Sequence, residues 1–566
     1  MKKLCSKLLL GFVCFGSLFA TQANAHIFLI KNPHDTTDET SLRGAIIAAN
    51  RRGGNNTILL AKGTYRLTIP GADEDAALTG DLDVTAGRLA IVGVSAAKVI
   101  IDAGGLGDRV FHVLPGAELT LDDLTIRGGT APGGESGGGI LNAGHLWLHR
   151  CVVQSNYTAT GLGGFVGGTG GHGGGIYNTG WLTLDRCRVS ENATAGGGGG
   201  GIDPNAADST SQGPGGNGGS GAGICSAGIL TLDDCTISKN VTGDGGMGGC
   251  ATASQPGSAG GKSGDGGGVF NGGKLVLNRC TLSGNSTGPG GGGGGSYFDW
   301  GDDSGLCYTP GGPGGNGGDG AAIYNTGDLT LVTSTVSGNT NGAGGNGFDG
   351  AGSGGNGGIY SLGPLTIRSC TISSNSGGEG GFGYSFMGEY FQGCGGNGGI
   401  VNATNSSLAT LRNSLVALNL VGPGGVFFAI YDPTTQVWIL SGPSPDLSGP
   451  FTSGGYNLIG QTDGSTGLTN GVNGDLVGTG TPPLNPLLGP LQDNGGPTLT
   501  HALLRGSPAI DQGKRFGEST DQRGMHRPYD FPSIPNASGG DGTDIGAFEL
   551  EGSIRDAPTA VSHKDP

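Results

Sequence analysis

GGIYNTGWLTLDRCRVSEN, residues Gly174–Asn192, returns through the middle of the chain in close variants. They are GGILNAGHLWLHRCVVQSN (Gly138–Asn156), AGICSAGILTLDDCTISKN (Ala222–Asn240), GGVFNGGKLVLNRCTLSGN (Gly267–Asn285), AAIYNTGDLTLVTSTVSGN (Ala321–Asn339) and GGIYSLGPLTIRSCTISSN (Gly357–Asn375). A longer copy spans Gly398–Asn419. In these units, the longer copy aside, Ile or Val lies eleven residues before a Cys or Ser, and in every copy the closing Asn follows five residues after it. From closing Asn to the next Ile or Val the spacing is 20, 32, 29, 38, 20 and 25 residues. A fixed unit with elastic joints is the signature of stacked repeats.

Within Gly174–Asn192 the apolar residues are Ile176, then Leu182 and Leu184, then Cys187 and Val189. The spacing of two inside each pair is that of a half-buried strand, and Asn178–Gly180 and Asp185–Arg186 read as breaks. Three short strands with one apolar face each are unstable alone. Stacked ~4.8 Å apart they join like strands into parallel sheets around a continuous core. The expected fold is all-β, a right-handed parallel β-helix. Cys151, Cys187, Cys235, Cys280, Ser334, Cys370 and Ser414 then form one inward column. Asn156, Asn192, Asn240, Asn285, Asn339, Asn375 and Asn419 form an amide ladder in which each side chain bonds its neighbours.

Residues 1–25 read as a secretion leader, with Lys2, Lys3 and Lys7, an apolar Leu8–Ala20 and Ala23-Asn24-Ala25 at the cleavage point. That apolar run is too short to span a bilayer, and no transmembrane segment is expected after its removal. The formal charge is −16, and losing the leader's three lysines with no acid makes it −19. This balance argues against nucleic acid as a partner. Glycine contributes 128 of 566 residues without a triplet period, which excludes collagen. Cys225, Cys250, Cys307 and Cys394 stand outside the inward column, and an oxidising compartment would let loop cysteines pair.

Before the repeats, Thr40-Ser41 followed by Leu42, Ala45, Ile46 and Ala49 predicts a short capped helix over the open end of the stack. Strands are expected at Thr57–Leu60, Tyr65–Ile69, Leu89–Val92, Val99–Ile101 and Val110–Val113. Leu119–Ile126 reads as a cassette with Leu124 in the cysteine column. The Gly-rich inserts, with GGNGG at Gly215–Gly219, Gly314–Gly318, Gly354–Gly358 and Gly395–Gly399, carry little apolar surface and are expected to be mobile loops leaving one corner. The competing expectation is a second layer presenting Tyr297, Phe298, Trp300, Phe382, Tyr384, Phe386, Tyr390 and Phe391.

Ser41-Leu-Arg-Gly-Ala-Ile46 with Asn50 resembles the Cys-Ser-Leu-Arg-Glu-Ala motif opening many bacterial secreted β-helix proteins, with Thr40 for Cys and Gly44 for Glu. The cassettes, with their GG-Ile and closing Ser-x-Asn, are similar to polymorphic outer-membrane protein repeats. Asn485–His501, Gly506–Asp511, Thr520–Gly524 and Asp544–Glu549 resemble the choice-of-anchor Q domain. The resemblance implies a pectate-lyase-like β-helix on an exported, often surface-associated protein. The end Ser562–Pro566 lacks the terminal aromatic of an outer-membrane barrel, and Leu550–Pro566 lacks an apolar anchoring tail, which favours release. The resulting division is leader 1–25, cap and early coils 26–127, repeats with Gly-rich insertions 128–420, C-terminal coils with the anchor-like domain 421–550, and a disordered tail 551–566.

Two sets of residues invite a catalytic reading. Asp122, His149, Asp185, Asp233, Asn278, Val332, Arg368 and Arg412 stand two residues before the cysteine column, and Asp123, Arg150, Arg186, Asp234, Arg279, Thr333, Ser369 and Asn413 stand one before it. Carboxylates on successive coils could hold calcium or serve a lyase, but Asp, Asn and Arg at turns are ordinary solvated residues. His501, Asp511, Asp521, Arg523, Asp544 and Glu549 read as a network closing the far end of the stack. Gly539–Asp544 matches the start of a calcium nonapeptide only once, and a single copy cannot stack. No residue is therefore assigned a catalytic, cofactor or metal role, and no cofactor is expected. The expectation is a secreted or surface-associated, monomeric, non-catalytic protein displaying loops for adhesion or contact with an extracellular polysaccharide or cell-surface ligand. The alternative is a polysaccharide lyase or glycoside hydrolase.

Overall fold

The computed structural model describes residues 25–552, apart from 73, 202–211, 300–306, 349, 385–389, 405–407, 425–428, 433–436, 441–444 and 479–481. The expected leader before residue 25, the tail beyond 552, and Trp300 and Phe386 lie outside the described residues.

The unit Gly174–Asn192 forms three strands, Ile176–Asn178, Trp181–Asp185 and Arg188–Ser190. Each pairs in parallel with its equivalents in the coils before and after, with like residues in register: Leu184 opposite Leu148 and Leu232, Val189 opposite Val153 and Ile237. Repetition generates three long sheets. The first has 12 strands, from His26–Ile30 to Thr452–Ser453; the second has 11, from Leu82–Val84 to Ser465–Thr466; the third has 12, from Gly63–Arg66 to Leu476–Val477. The chain is a parallel β-helix. Coils precede the obvious repeats, as expected, and Leu124 is buried in line with the cysteines. The strand His26–Ile30, which the repeat pattern does not reveal, starts the first sheet.

Helix α1 (Leu42–Arg52) is capped by the Ser41 hydroxyl, which accepts from the Gly44 N–H at 3.1 Å. It packs on the strands His26–Ile30, Asn55–Leu60 and Leu82–Val84, covering their end of the stack. The departure from the opening motif at Gly44 has a steric cause. A β-carbon there would lie 1.9 Å from the Asp38 carbonyl oxygen.

Polar side chains inside the stack satisfy one another along its axis. The N–H of Cys151 meets Sγ of Cys187 at 3.4 Å, and the same contact links Cys187 to Cys235 and Cys235 to Cys280. Ser334, Cys370 and Ser414 continue the column. The residue before each member, such as Arg186 at φ 51° or Arg279 at φ 51°, is left-handed, and this turns the chain from the first sheet to the third. In the closing-Asn ladder, Nδ2 of Asn192 donates to Oδ1 of Asn240 at 3.0 Å and Nδ2 of Asn240 to Oδ1 of Asn285 at 2.9 Å, all buried. A second ladder, Asn142 to Asn178 to Ser226 and Asn271 to Asn325 to Ser361, occupies the break after the second-sheet strand. The repeat pattern alone presents that position as a simple turn.

The expectation of mobile Gly-rich loops is overturned. The inserts run outward and back as paired legs, and successive legs are hydrogen-bonded glycine to glycine. N–H of Gly198 donates to Gly168, Gly216 to Gly198, Gly246 to Gly216, Gly261 to Gly246, Gly291 to Gly261, Gly315 to Gly291 and Gly345 to Gly315, at 2.7–2.9 Å. Contacts recur every third residue along a leg: Gly213, Gly216 and Gly219 bond across to the outward leg, while Gly215, Gly218 and Gly221 bond to the next return leg. Three is the period of a polyproline II helix, whose backbone makes no internal hydrogen bonds and is free to pair sideways. Glycine is required because the legs are so close. A β-carbon on Gly261 would lie 1.9 Å from the Gly216 carbonyl oxygen, and one on Gly315 would lie 2.0 Å from that of Gly261. Among the described residues this layer has no apolar core; backbone pairing offsets the ordering cost instead.

The C-terminal segment also departs from expectation. It does not close the far end. From about residue 485 the chain runs back along the outside of the third sheet. The fully buried Gln522 donates to Thr281 Oγ1 at 2.9 Å and accepts from Thr335 Oγ1 at 2.6 Å. The Ala547 N–H donates to Thr371 Oγ1 at 3.1 Å. Outward residues of the third sheet, exposed at Arg188, are therefore buried at Thr281, Thr335 and Thr371. Cys225 is not a loop residue either. It lies in the strand Ile224–Ser226, and burial pushes its thiol up to about 12. Cys225, Cys250 and Cys394 are free, while the side chain of Cys307 lies outside the described residues.

Candidate functional site

The turn between the first and third sheets brings together part of the charged row. His149 Nδ1 lies 3.1 Å from Asp122 Oδ1 and its Nε2 lies 3.2 Å from Asp185 Oδ2, so the imidazole bridges carboxylates of the coils on either side. Arg150 donates to both Asp123 oxygens, at 2.9 Å each, and to Asp122 at 2.8 Å. The Asp123 hydrogen bond is the main cause that raises its guanidinium above the usual range. Asp234 is held by Arg279 at 2.7 Å and faces Arg186 at 3.8 Å; Asn278 donates to Asp233 at 2.9 Å. Val332, Arg368 and Arg412 extend the row without carboxylates, and Arg412 lies 4.7 Å over the Phe516 ring. The row is a run of inter-coil charge pairs in which the imidazole and the carboxylates are mutually engaged.

Beside it, on the outer face of the first sheet, is a feature that the repeat analysis does not single out. Trp147 and Trp181 are 38% and 57% exposed. The His145 ring stacks on both, at centroid distances of 5.8 and 5.1 Å. Trp147 alternates with the buried Leu146 and Leu148, and Trp181 precedes the buried Leu182, so strand parity turns both indoles outward. The signal is readable: a Trp in a polar-facing position of an otherwise alternating strand. Along the same face the outward residues of later coils are Thr183, Thr231, Val276, Thr330, Thr366 and Thr410. The result is a platform that is aromatic at Trp147 and Trp181, carries threonine hydroxyls on the later coils except at Val276, and is edged by the charged row.

The C-terminal polar set is brought together, but inside. His501 Nε2 lies 2.8 Å from Ser337 Oγ and its Nδ1 lies 2.6 Å from the Gly489 oxygen. Asp544 accepts from the N–H groups of Asp511 and Leu550, Asp511 from that of Phe531, and Asp521 from those of Arg523, Met525 and Glu549. Arg527 and Glu549 pair at 2.9 Å with both side chains fully buried. Burial pushes Glu549 up to about 7 and Asp511 up to about 6. These groups fasten the segment to the third sheet, and most of their acceptors are taken by its own backbone.

No family model matches the chain, and no curated protein matches its sequence. Among solved structures it is similar to pectate lyase Pel9A, at 12% identity and TM-score 0.37, over 93% of this chain and 96% of that one. It is also similar to the PL6 family alginate lyase AlyGC, at 11% identity and TM-score 0.29, over 88% of this chain and 58% of that one. A further match is Escherichia coli YbhC, at 10% and 0.24, over 48% and 74%. At these identities the likeness concerns the β-helix alone and assigns no chemistry. No helix of the described residues is long and apolar enough to cross a membrane.

Proposed function

We propose that the protein is an exported, non-catalytic β-helix that holds a polysaccharide along the outer face of its first sheet. The observation that carries this reading is the pair of outward indoles, Trp147 and Trp181, stacked through His145 on a rigid sheet. An indole offers a large apolar face together with an N–H, and it loses little side-chain freedom on binding, a combination suited to the alternating C–H and hydroxyl faces of a sugar. The outward threonines, interrupted once at Val276, supply hydroxyls on successive coils ~4.8 Å apart along the direction a linear polymer would follow. The leader-like residues 1–25 and the resemblance to polymorphic outer-membrane repeats and the choice-of-anchor Q domain support export, to the medium or the cell surface.

The alternative, a lyase or hydrolase, needs a base free to reach the sugar and a carboxylate set free to act with it. His149 and the carboxylates around it instead engage one another and Arg150. The test is retention of the purified protein on a panel of acidic and neutral polysaccharides, with and without calcium. Retention of intact polymer, lost in Trp147→Ala and Trp181→Ala with the fold kept, is the expected result. New unsaturated or reducing ends would establish the enzyme instead. Undiminished retention by the double variant would exclude the platform as the binding face.

A further inference from the structure

We propose a divalent transition-metal site, of the zinc class, formed by Asp75, Asp83 and His112 near the helix-capped end of the stack. Asp83 and His112 occupy paired outward positions on neighbouring strands of the second sheet, Leu82–Val84 and Phe111–Val113. His112 Nδ1 lies 3.4 Å from Asp83 Oδ1 and 3.4 Å from Asp75 Oδ1, and the three ligand atoms all fall within 4.8 Å of one another. Two ligands each ~2.1 Å from a tetrahedral ion are about 3.4 Å apart. Two edges of the tetrahedron are therefore already set. Closing the third asks only that Asp75, whose side chain is 67% exposed, shift inward. That exposed side also leaves a path for the ion and room for water as fourth ligand.

The unusual member is Asp83. Its side chain is fully buried, yet Oδ1, aimed at the imidazole, accepts no hydrogen bond. A buried carboxylate oxygen without a donor is costly unless a cation or donor meets it. The remainder of the residue is fixed: Oδ2 accepts from the Ala77 N–H at 2.8 Å, and its carbonyl accepts from Asn50 Nδ2 at 2.8 Å. The loop that delivers Asp75 is built with equal care. The fully buried Arg43 donates to the carbonyls of Ala77, Gly80 and Asp81 at 3.1, 2.7 and 3.0 Å. Glu74 accepts from the N–H groups of Ala76 and Thr79 at 2.9 and 2.6 Å. An imidazole nitrogen with two carboxylates suits zinc and its neighbours; calcium prefers six to eight oxygens.

The experiment is calorimetric titration of the chelator-treated, metal-free full-length protein with zinc alone, after alkylation of the exposed Cys250 and Cys394. One equivalent should bind, cobalt should give a tetrahedral visible spectrum, and zinc should raise the unfolding temperature. His112→Asn and Asp75→Asn should each weaken zinc at least tenfold and abolish the zinc-dependent rise, while unfolding in chelator stays at the wild-type temperature. Both variants alter side chains that solvent reaches, which keeps loss of metal separable from loss of fold. Absence of a saturable equivalent, unchanged zinc affinity in both variants, or saturation by calcium in place of zinc would each overturn the assignment.

Discussion

Gly291 and Gly292 are adjacent, chemically identical and in one insert, yet alanine should act on them in opposite directions. A β-carbon on Gly291 would lie 2.0 Å from the Gly246 carbonyl oxygen, whereas one on Gly292 meets nothing nearer than Asn346 O at 3.7 Å. Reaching ordinary contact at 3.4 Å would open the legs around Gly291 by about 1.4 Å. Gly291 donates to Gly261 at 2.9 Å and accepts from Gly315 at 2.8 Å. Loss or strain of those two bonds costs ~0.5–1.5 kcal/mol each, and overpacking a close contact costs ~1–3 kcal/mol. Gly291→Ala should therefore destabilise this layer by about 2–6 kcal/mol. Gly292→Ala removes only unfolded-state freedom and should be neutral or stabilising by up to ~1 kcal/mol. Urea unfolding reads the difference, and hydrogen exchange over residues 281–296 locates it. Equal behaviour of the two variants, with fast exchange in the wild type, would show the inserts to be loose loops and would refute the lattice.

Asn240→Ala removes an amide that donates to Asn285 Oδ1 and Val189 O and accepts from Asn192. Leaving the two Asn192 donors unmet at ~1–3 kcal/mol each predicts a loss of about 2–6 kcal/mol in thermal or urea unfolding. Burial pushes Asp446 up to about 6, so the folded state favours its neutral form. That stability is present below pH ~4 and lost as pH rises through 6. Asp446→Asn should flatten the pH 4–6 stability slope relative to wild type, where Asp511 and Glu549 keep their own contributions of the same sign. Gln522→Ala should free the C-terminal segment for limited proteolysis beyond residue 485 while the three sheets keep their circular dichroism.

The strands were legible because stacking repeats the same burial problem in every coil. Leu184 must resemble Leu148 and Leu232 since it lies between them. The closing Asn recurs for the same reason, and its hydrogen-bonding role follows from burial. The glycine layer was not legible because hydrophobic patterning says nothing about backbones that pair without side chains. Its motif even changes register: Gly318 sits over Gly264 and Gly355 over Gly318, so GGNGG at 314 and at 354 are offset by three residues, one turn of a threefold helix. The placement of the C-terminal segment was hidden for another reason. Thr281, Thr335 and Thr371 look like ordinary solvent-facing strand threonines, and only the fold shows Gln522 and Ala547 bonded to them. Asp83 and His112 lie in early coils with no repeated spacing, so their pairing emerges only from sheet register.

How the polar columns end follows from the inventory of donors and acceptors. An amide in a ladder gives its N–H to the next rung and takes one from the rung before, so the last rung receives bonds but has nothing beyond it to receive its own. A second amide there would bury unmet donors, whereas a carboxylate only accepts. The closing-Asn ladder ends this way, with Asn419 Nδ2 donating to Asp446 Oδ1 at 2.9 Å. So does the cysteine column: the Ser414 N–H meets Asn457 Oδ1 at 3.1 Å, and Asn457 Nδ2 donates to Asp475 Oδ1 at 3.0 Å. Burial raises both carboxyls, the cost of this solution. Two unrelated columns reaching the same chemistry at their last rung implies that these ladders are polarised, with each side-chain acceptor of the ladder one coil beyond its donor. Extending the stack by grafting another cassette would therefore require an amide at 446, paired onward, in place of the acid.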